Sequence, residues 1–340
     1  DHRDLHSFPT RRSSDLLDYF QNAKRTQLIL DQLQSEQGAR FLRKRNRNIV
    51  LKIDEDVPLS EDFQWLTLGQ IKALMNFDNV VNMDTRTVIS GLLYHPFLNQ
   101  LSVYDFNTFM EDRGVGSFGC ELFISEMSLT GHNTIDGILF WLSELKSRYE
   151  LLLESIPLKS VRDWQVTESE IVRPDRKFFR VLGVEVVIDN REVNSWCQPI
   201  VEPMQEGLCA FIIKKIHGVY HFLVQAKIEC GNFDVVEMAP TVQCLTGNYK
   251  TSSDSPPPFV EYVLGASGKQ VIFDTMQSEE GGRFFHEQNR NLLVEADATF
   301  PETVPENFIW LTLGQIKEFL RFNNYLNIQA RSLIAALDYR

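Results

Sequence analysis

The sequence predicts an α+β protein built from two related modules, and two observations support this fold class. The octapeptide WLTLGQIK occurs twice, at residues 65–72 and 310–317. Short runs rich in β-branched and aromatic residues also alternate with segments that have the apolar spacing of helices. Because an exact repeat of this length indicates duplication of a structural unit, we expect two similar domains with strands flanked by helices.

The repeat extends on both sides of the octapeptide. Two segments, QSEQGARF at residues 34–41 and NRN at residues 46–48, recur 243 residues later as QSEEGGRF and NRN. Residues 82–86 recur in part 245 residues later. The second copy therefore has two extra residues between its NRN and its tryptophan, in a Pro-containing stretch where a surface loop tolerates insertions.

The first copy begins with two predicted strands, at residues 27–33 and 49–53, with the QSE run at 34–36 as a turn. The octapeptide then predicts the start of a helix. Thr67 and Gln70 have the spacing of a capping box, and the apolar residues that follow are spaced along one helix face. Thr312 and Gln315 predict the same helix start in the second copy.

The second copy has a longer series of predicted elements. Residues 135–150 predict a helix with one apolar side, and residues 178–188 predict a strand. Residues 208–216 and 219–227 predict a hairpin around His217-Gly218, and residues 252–258 a polar loop.

These assignments divide the chain into three parts. Residues 1–16 have no apolar periodicity and resemble a translated adaptor, so we exclude them from the fold prediction. Residues 17–102 are predicted to be the C-terminal part of a first module, and residues 103–340 a complete second module. By comparison with the second module, we expect about 154 residues to be missing before the first.

Bulk properties limit the function classes. The net charge of −12 disfavours a nonspecific nucleic-acid binder. No stretch approaches eighteen uninterrupted apolar residues, so we expect no membrane span. The five cysteines include no C-x-x-C pair, which indicates a reduced, cytoplasmic protein.

A glycine-rich stretch at residues 114–119 fits the pattern G-x-G-x-x-G. A dinucleotide site requires a hydrophobic strand before this pattern and a helix after it. The preceding residues are polar and no clear helix is predicted to follow. We therefore interpret this stretch as a loop.

Two arginines recur in both copies, within a basic run whose other members are not shared. They are Arg40 and Arg47 in the first copy, and Arg283 and Arg290 in the second. Nearby shared side chains suit the binding of a diphosphate and a sugar: Gln34, Asn46, Asn48, Gln277, Asn289 and Asn291. The alternative, salt bridges from the arginines to Glu36 and Glu279, remains equally open.

A second polar series lies upstream in the complete copy. Amides, hydroxyls and one lysine alternate there with strand residues, a pattern that lines one face of a sheet. A solvated face is the alternative, although such faces usually carry Lys and Glu. The candidate binding residues of this series are Gln198, Gln225, Asn232, Gln243, Thr246 and Asn248.

Several motifs can be considered together: QAKIECGN at 225–232, PTVQ at 240–243, NY at 248–249, NMDTRT at 82–87, and the repeated QSE and NRN segments. In combination they resemble the NDP-hexose 2,3-dehydratase family of deoxysugar biosynthesis. The resemblance covers residues 27–337. It implies tandem Nudix-like modules, a homodimer and a TDP-linked 4-keto-6-deoxyhexose as substrate, with one module catalytic and the other a remnant.

A Nudix-like fold raises a rival function, diphosphate hydrolysis with a bound metal. That chemistry requires closely spaced glutamates on one helix. Arg191-Glu192 is the nearest fragment, and no Glu-Glu-x-Gly follows it. We therefore predict no hydrolase and no metal site. A nucleotide-sugar binding module without catalysis remains as a second alternative.

The implied reaction predicts the kinds of catalytic group. A base must remove the C3 proton, donors must stabilise the C4 enolate, and an acid must protonate the departing C2 hydroxyl. No redox cofactor is required. The candidate acids and bases are Lys227, Tyr249 and Glu279 in the complete copy and Glu36 and Asp84 in the first, with Arg86 as a further binding residue. Because the second copy has Gln329 at the position equivalent to Asp84, we expect the first copy to be the catalytic one.

Overall fold

The computed structural model describes residues 16–21, 26–57, 63–93, 108, 110–112, 114, 116–189, 193–246 and 256–339. Within these ranges the protein contains helices and three β-sheets, which confirms the predicted α+β class. None of the helices in these ranges has both the length and the apolar character needed to cross a membrane.

The first copy of the repeat forms a hairpin followed by two helices. After α1 (Leu17–Gln21), β1 (Gln27–Ser35) pairs antiparallel with β2 (Arg45–Lys52). Helices α2 (Leu68–Leu74) and α3 (Met83–Ser90) follow. Both predicted strands are confirmed.

The predicted turn at residues 34–36 is wrong in its placement. Gln34 and Ser35 belong to β1 and pair with Asn46 and Arg45 of β2. The chain turns only after Glu36, whose backbone N–H still donates to Lys44 O at 3.0 Å. Cross-strand hydrogen bonds thus extend the hairpin beyond the point where local polarity suggests a turn.

The second copy begins with two helices and a small antiparallel sheet. The helices are α4 (Phe118–Met127) and α5 (Ile135–Arg148). The sheet has the order β3-β4-β5-β6, formed by β3 (Gln165–Val166), β4 (Glu170–Val172), β5 (Phe179–Val187) and β6 (Ser195–Pro203).

A seven-stranded mixed sheet forms the centre of the second copy. Its strands are β7 (Gly207–Ile216), β8 (Val219–Lys227), β9 (Glu237–Ala239), β10 (Val242–Leu245), β11 (Val271–Ser278), β12 (Gln288–Glu295) and β13 (Phe308–Thr312). The main path runs β11-β12-β7-β8-β13, with β10 beside β7 and β9 beside β8. Only the β12–β7 pair among these is parallel.

Helices cover both faces of this sheet. One core cluster joins its first face to α4, α5, α7 (Leu313–Leu320) and α8 (Ile328–Ala335). A second cluster joins the other face to α6 (Val260–Gly265) and contains Trp310. The predicted hairpin at His217-Gly218 is confirmed, and both residues have positive φ, as its tight turn requires.

The glycine-rich stretch leads into a helix, so the prediction that no clear helix follows it is wrong. Ser117 caps α4, and its hydroxyl accepts from Cys120 N at 3.4 Å. Residues 110–112, which precede the stretch, are helical. The stretch therefore lacks the preceding strand that a dinucleotide site requires.

The two copies of the repeat have the same local structure. Gln34 faces Asn46 across the first hairpin, and Gln277 faces Asn289 across the second. Both predicted capping boxes are present, at the starts of α2 and α7. Helices α3 and α8 pack against each other, which brings the two copies together.

Candidate functional site

Each hairpin carries a glutamate immediately after its first strand. Asn46 Nδ2 donates a hydrogen bond to the carboxylate of Glu36, and Asn289 Nδ2 donates to that of Glu279. The backbone N–H of Glu279 donates to Glu287 O at 2.9 Å, as that of Glu36 does to Lys44 O. The two copies therefore build the same pair of a buried carboxylate and an amide.

The surroundings of Glu36 are acidic and come from both copies. One carboxylate oxygen each from Glu36, Asp84 and Glu280 lie within 4.8 Å of one another. Arg283 lies beside them, with Nε 3.1 Å from Glu280 Oε2 and Nη1 3.6 Å from Glu36 Oε2. We call Glu36, Asp84, Glu280 and Arg283 the acidic site.

The environment of the acidic site raises the pKa of two of its carboxyl groups, those of Glu36 and Glu280. Burial raises the pKa of Glu36, against the opposing charges of Arg283 and Arg331. Burial also raises the pKa of Glu280 to about 7, again opposed by Arg283. Asp84 is exposed to solvent. The site thus combines a carboxyl group that can exchange a proton near neutral pH, that of Glu280, with a route to solvent.

Glu279 has different neighbours in the second copy. Gln329 occupies the sequence position equivalent to Asp84, and Gln37 occupies that equivalent to Glu280. A side-chain hydrogen bond joins Gln37 to Glu279. Burial, followed by the nearby Glu287 charge, raises the pKa of Glu279 to about 8. Its carboxyl group is therefore largely neutral at pH 7.

Other predicted residues lie, like Glu279, close enough to the buried Cys209 to act on it, or contact residues that do. Gln243 Nε2 donates to Glu229 Oε1 at 3.0 Å, and Lys227 Nζ donates to Gln243 O at 3.2 Å. Burial raises the pKa of Glu229, opposed by the Lys227 and Arg40 charges. Glu279, Lys227 and Glu229 all act electrostatically on the buried Cys209 thiol. We call Glu229, Lys227, Gln243 and Glu279 the second-copy cluster.

Contacts between the copies continue along this cluster. Asn232 is buried against Gly38, where a Cβ atom would collide with its side-chain oxygen. The backbone N–H of Gly231 donates to Gly38 O at 2.7 Å, and that of Arg43 donates to Gly231 O at 2.8 Å. The turn of the first hairpin is thereby fixed against the second copy.

Two of the predicted arginines lie away from both groups. Arg47 forms two 2.6 Å hydrogen bonds with Asp31, and Arg290 pairs with Asp274 at 2.9 and 2.7 Å. Their strand neighbours Asn48, Asn289 and Asn291, by contrast, have buried amides, because side chains alternate between the faces of a strand. We therefore leave Arg47 and Arg290 out of the proposed site.

Five other predicted binding residues form part of the protein interior. Arg86 donates to Ser278 O at 2.7 Å and to Gln277 Oε1 at 3.2 Å. The side-chain amides of Gln34, Gln277, Asn48 and Asn291 donate to Leu320 O, Met75 O, Thr87 O and Asn289 O, respectively. These contacts fit a role in holding the two hairpins rather than direct contact with a ligand.

The remaining predicted residues are dispersed. Gln198 Nε2 donates to Gly282 O at 2.8 Å, next to Arg283, whereas Thr246 Oγ1 donates to Glu206 O at 3.1 Å. Gln225 is half-buried in β8, and the guanidinium of Arg40 lies 4.6 Å from the ring centre of Phe179. Asn248 and Tyr249 lie outside the described residues.

Sequence reasoning missed Glu280 and Arg331. Glu280 was passed over because the comparison selected residues shared by the copies, and its equivalent is Gln37. Arg331 is shared with Arg86 and was therefore detectable by that same comparison. The sequence signal for Glu280 is a difference between the copies, Glu280 against Gln37, immediately after the shared glutamate.

The acidic site also has the spacing of a cation site, because Glu36, Asp84 and Glu280 each direct one oxygen to a common point. The guanidinium of Arg283 already supplies a positive charge to two of these three groups. A divalent cation would have to bind next to that charge. We therefore assign no metal to the site.

Comparisons with known proteins agree with the motifs. The sequence profile described as NDP-hexose 2,3-dehydratase matches residues 2–92 and 136–337. A protein of Saccharopolyspora spinosa, named dTDP-4-dehydro-6-deoxy-alpha-D-glucopyranose 2,3-dehydratase, is 43% identical over 333 residues, which are 94% of this chain and 65% of that protein.

Two further relatives carry the same name. The protein of Streptomyces violaceoruber is 40% identical over 90% of this chain and 64% of its own length, and that of Amycolatopsis orientalis is 36% identical over 95% and 62%. The chain thus spans between 62% and 65% of the length of these curated relatives. Since the family profile matches well over half of its residues, the chain belongs to the NDP-hexose 2,3-dehydratase family.

Proposed function

We propose that this chain provides part of a sugar 2,3-dehydratase, a hydro-lyase that removes the C2 hydroxyl of a TDP-4-keto-6-deoxyhexose. The product is a 3,4-diketo-2,6-dideoxyhexose. Family membership and the names of the relatives support this reaction. The structural observation that carries the proposal is the acidic site, where three carboxyl groups and Arg283 meet beside solvent.

The acidic site has the groups that the elimination requires. We assign the removal of the C3 proton to Glu36, whose carboxylate is oriented by Asn46. We assign protonation of the leaving C2 hydroxyl to Glu280, whose pKa of about 7 lets it hold a proton at neutral pH. Arg283 balances negative charge on the enolate or the diphosphate, and Asp84 lies at the solvent side.

The chemistry accounts for every atom without a redox partner. Loss of the C3 proton and the C2 hydroxyl, as water, gives an enol across C2 and C3. The enol then takes a proton at C2 and releases the proton of its C3 hydroxyl to solvent, which leaves the 3-keto group. The oxidation at C3 is offset by the reduction at C2 within the same sugar, so the proposal includes no cofactor.

The finer architecture is part of the same proposal. We infer two Nudix-like modules in tandem, with residues 17–102 as part of the first and 103–340 as the second. The equal hairpin registers and the two capping boxes support the duplication. A cytoplasmic homodimer belongs to the proposal as well, and light scattering during size-exclusion chromatography tests the dimer.

A solvent-isotope experiment tests the reaction. Residues 17–340 are fused behind the N-terminal part of the Saccharopolyspora relative, and the chimera is incubated with TDP-4-keto-6-deoxyglucose in deuterated water. We expect one deuterium at C2 of the trapped product, because that carbon is protonated from solvent. Addition of a chelator should leave the rate unchanged. A chimera that folds but does not turn over the sugar contradicts the proposal.

The same sample separates the alternatives. Calorimetry with TDP measures binding independently of turnover. Binding without sugar turnover would favour a nucleotide-sugar binding module. Release of TMP from the nucleotide sugar would favour a diphosphate hydrolase, whose nearest sequence fragment, Arg191-Glu192, lies outside the described residues.

A further inference from the structure

Two buried arginines at equivalent positions of the two copies each donate hydrogen bonds to the other copy. Arg86 lies in α3 of the first copy and Arg331 in α8 of the second, and their exposed fractions are 1% and 2%. Burial of a charged guanidinium is costly unless its donors find acceptors. The acceptors of each arginine include groups of the other copy.

Arg331 reaches Ser35, the last residue of β1, which immediately precedes Glu36. Its Nη2 donates to Ser35 O, and its Nη1 donates to Ser35 Oγ at 3.4 Å and to Leu326 O at 2.6 Å. The hydroxyl of Ser35 donates to Glu237 Oε2 at 2.8 Å. The arginine is thus fixed one residue before Glu36, and its charge acts on Glu36 and Glu237.

Arg86 makes the equivalent contacts in the opposite direction. Its Nη2 donates to Ser278 O at 2.7 Å, one residue before Glu279. Its Nη1 also donates to Gln277, and its Nε donates to Ser332 Oγ in α8 at 2.7 Å. The two arginines are therefore held in one packed unit formed by α3 and α8.

Each arginine has a structural role, because its removal would leave several buried acceptors without donors. Its charge also acts on a carboxylate of the other copy. Burial raises the pKa of both glutamates, and Arg331 opposes this rise at Glu36 as Arg86 does at Glu279. Each arginine therefore favours the ionised form of a carboxylate in the other copy.

We propose that Arg331 is the positioning residue for Glu36 and that Arg86 is the positioning residue for Glu279. Each copy supplies a guanidinium to the other copy. This guanidinium orients the end of the first hairpin strand and favours the ionised form of the carboxylate that follows it. The role of Glu36 in turnover rests on the proposed function, whereas the exchange of arginines does not. Neither carboxylate is then complete within its own copy.

Other charges also face the two carboxylates. Glu36 lies near Arg283, Asp84, Lys44 and Glu280, and Glu279 lies near Glu287. These groups lie in the hairpin turns and in α3, at positions other than Arg86 and Arg331. They remain unchanged in variants of Arg86 and Arg331, so the variants isolate the contribution of the arginines.

Carboxyl-carbon NMR of the chain labelled in glutamate tests the exchange. E36Q and E279Q identify the two resonances. We expect R331M to raise the pKa of Glu36 and leave that of Glu279 unchanged, and R86M to do the reverse. R331K and R86K should give smaller shifts in the same direction, because lysine keeps the charge but not the bidentate geometry.

Turnover provides a second readout. In the chimera, R331K should lower kcat about tenfold or more through misplacement of Glu36, with a smaller change in KM. It should also move the acidic limb of the pH profile upward. R86K is the matched control, since it alters an equivalent buried contact beside the other carboxylate.

Three results would overturn the proposal. The first is an unchanged titration of both glutamates in both methionine variants, and the second is an equal shift of both glutamates in every variant. The third is the reverse pattern, in which R331M shifts the pKa of Glu279 and R86M shifts that of Glu36. If the methionine variants do not fold, unchanged titrations in the lysine variants overturn it. Because NMR needs no substrate, the exchange can hold even if the chimera shows no dehydratase activity.

Discussion

Trp65 and Trp310 begin identical octapeptides but have opposite environments. Trp310 is 1% exposed and lies in β13, paired with β8, whereas Trp65 is 64% exposed. The capping boxes that follow them nevertheless form in both copies. The hydrogen bonds of the capping box thus form from the eight residues alone, whereas the strand pairing of the second octapeptide also requires β8.

Glu36 and Glu279 give a second comparison, at the level of chemistry. Both accept a hydrogen bond from an asparagine of the same hairpin. Glu36 has Asp84 and Glu280 beside it, whereas the equivalent sequence positions in the second copy hold Gln329 and Gln37. The shared residues preserve the scaffold, and the neighbours determine which copy has several groups able to exchange protons.

The largest expected effect comes from replacing the carboxylates of Glu36 and Glu279, one at a time, by amides. In the chimera, E36Q should reduce kcat by about 10² to 10⁴, because the amide cannot remove the C3 proton. E279Q should reduce it by less than about tenfold, since Glu279 is already largely neutral at pH 7. Rates of product formation measure both variants. Equal losses would assign proton transfer to both copies.

The tryptophans test burial directly. W310A should lower the free energy of unfolding by about 3 to 5 kcal/mol, because it leaves a cavity and removes the donor to Glu302 O. W65A should change it by less than about 0.5 kcal/mol, as for an exposed side chain. Urea unfolding of the 340-residue chain measures both. A comparable loss in W65A would mean that its surface is covered in solution.

Local patterns predicted much of the secondary structure. The strands of the first hairpin, the β7–β8 hairpin, the α5 helix and both capping boxes follow from residues close in sequence. The misplaced turn at residues 34–36 and the missed helix after the glycine-rich stretch have different causes. Cross-strand pairing extends the hairpin past the polar residues 34–35, whereas the helix begins at a local cap, Ser117, that the prediction overlooked.

The candidate site was only partly predictable, for a different reason. Comparison of the copies identified Glu36, Asp84 and Arg283 but assumed that each copy builds its own site. The structure combines Asp84 and Glu36 of the first copy with Glu280 and Arg283 of the second. The spacing of residues along the sequence does not show that one site combines residues of both copies. That combination arises from the packing of α3 against α8.

The next effect concerns pH and stability. The pKa of Glu279 is about 8 in the folded protein and 4.5 as the ordinary value. The folded state therefore holds this proton more tightly, so its stabilising contribution is complete below pH 4.5 and is lost as the pH rises through 8. E279Q remains neutral and should lose less stability than the parent chain between pH 5 and 9.

Urea midpoints at pH 5, 7 and 9 measure this difference. E280Q is the matched control, because Glu280 is more exposed and its pKa is about 7. Its alkaline loss should therefore be relieved to a smaller extent. A difference between E279Q and the parent chain that does not change with pH would show that Glu279 is ionised in the folded protein throughout this range.

The smallest expected effect returns to the shared helix start. In both copies the threonine hydroxyl accepts from the N–H of the glutamine three residues later, at 3.2 Å for Thr67 and 3.1 Å for Thr312. T67A should therefore cost about 1 kcal/mol of unfolding free energy, the usual cost of losing an N-cap. T312A should cost more, since Thr312 Oγ1 also donates to the part-buried Ser128 O, whereas Thr67 Oγ1 donates to the exposed Gln70 Oε1 at 3.1 Å. Equal losses in urea unfolding would mean that the hydrogen bond from Thr312 to Ser128 O adds nothing to stability.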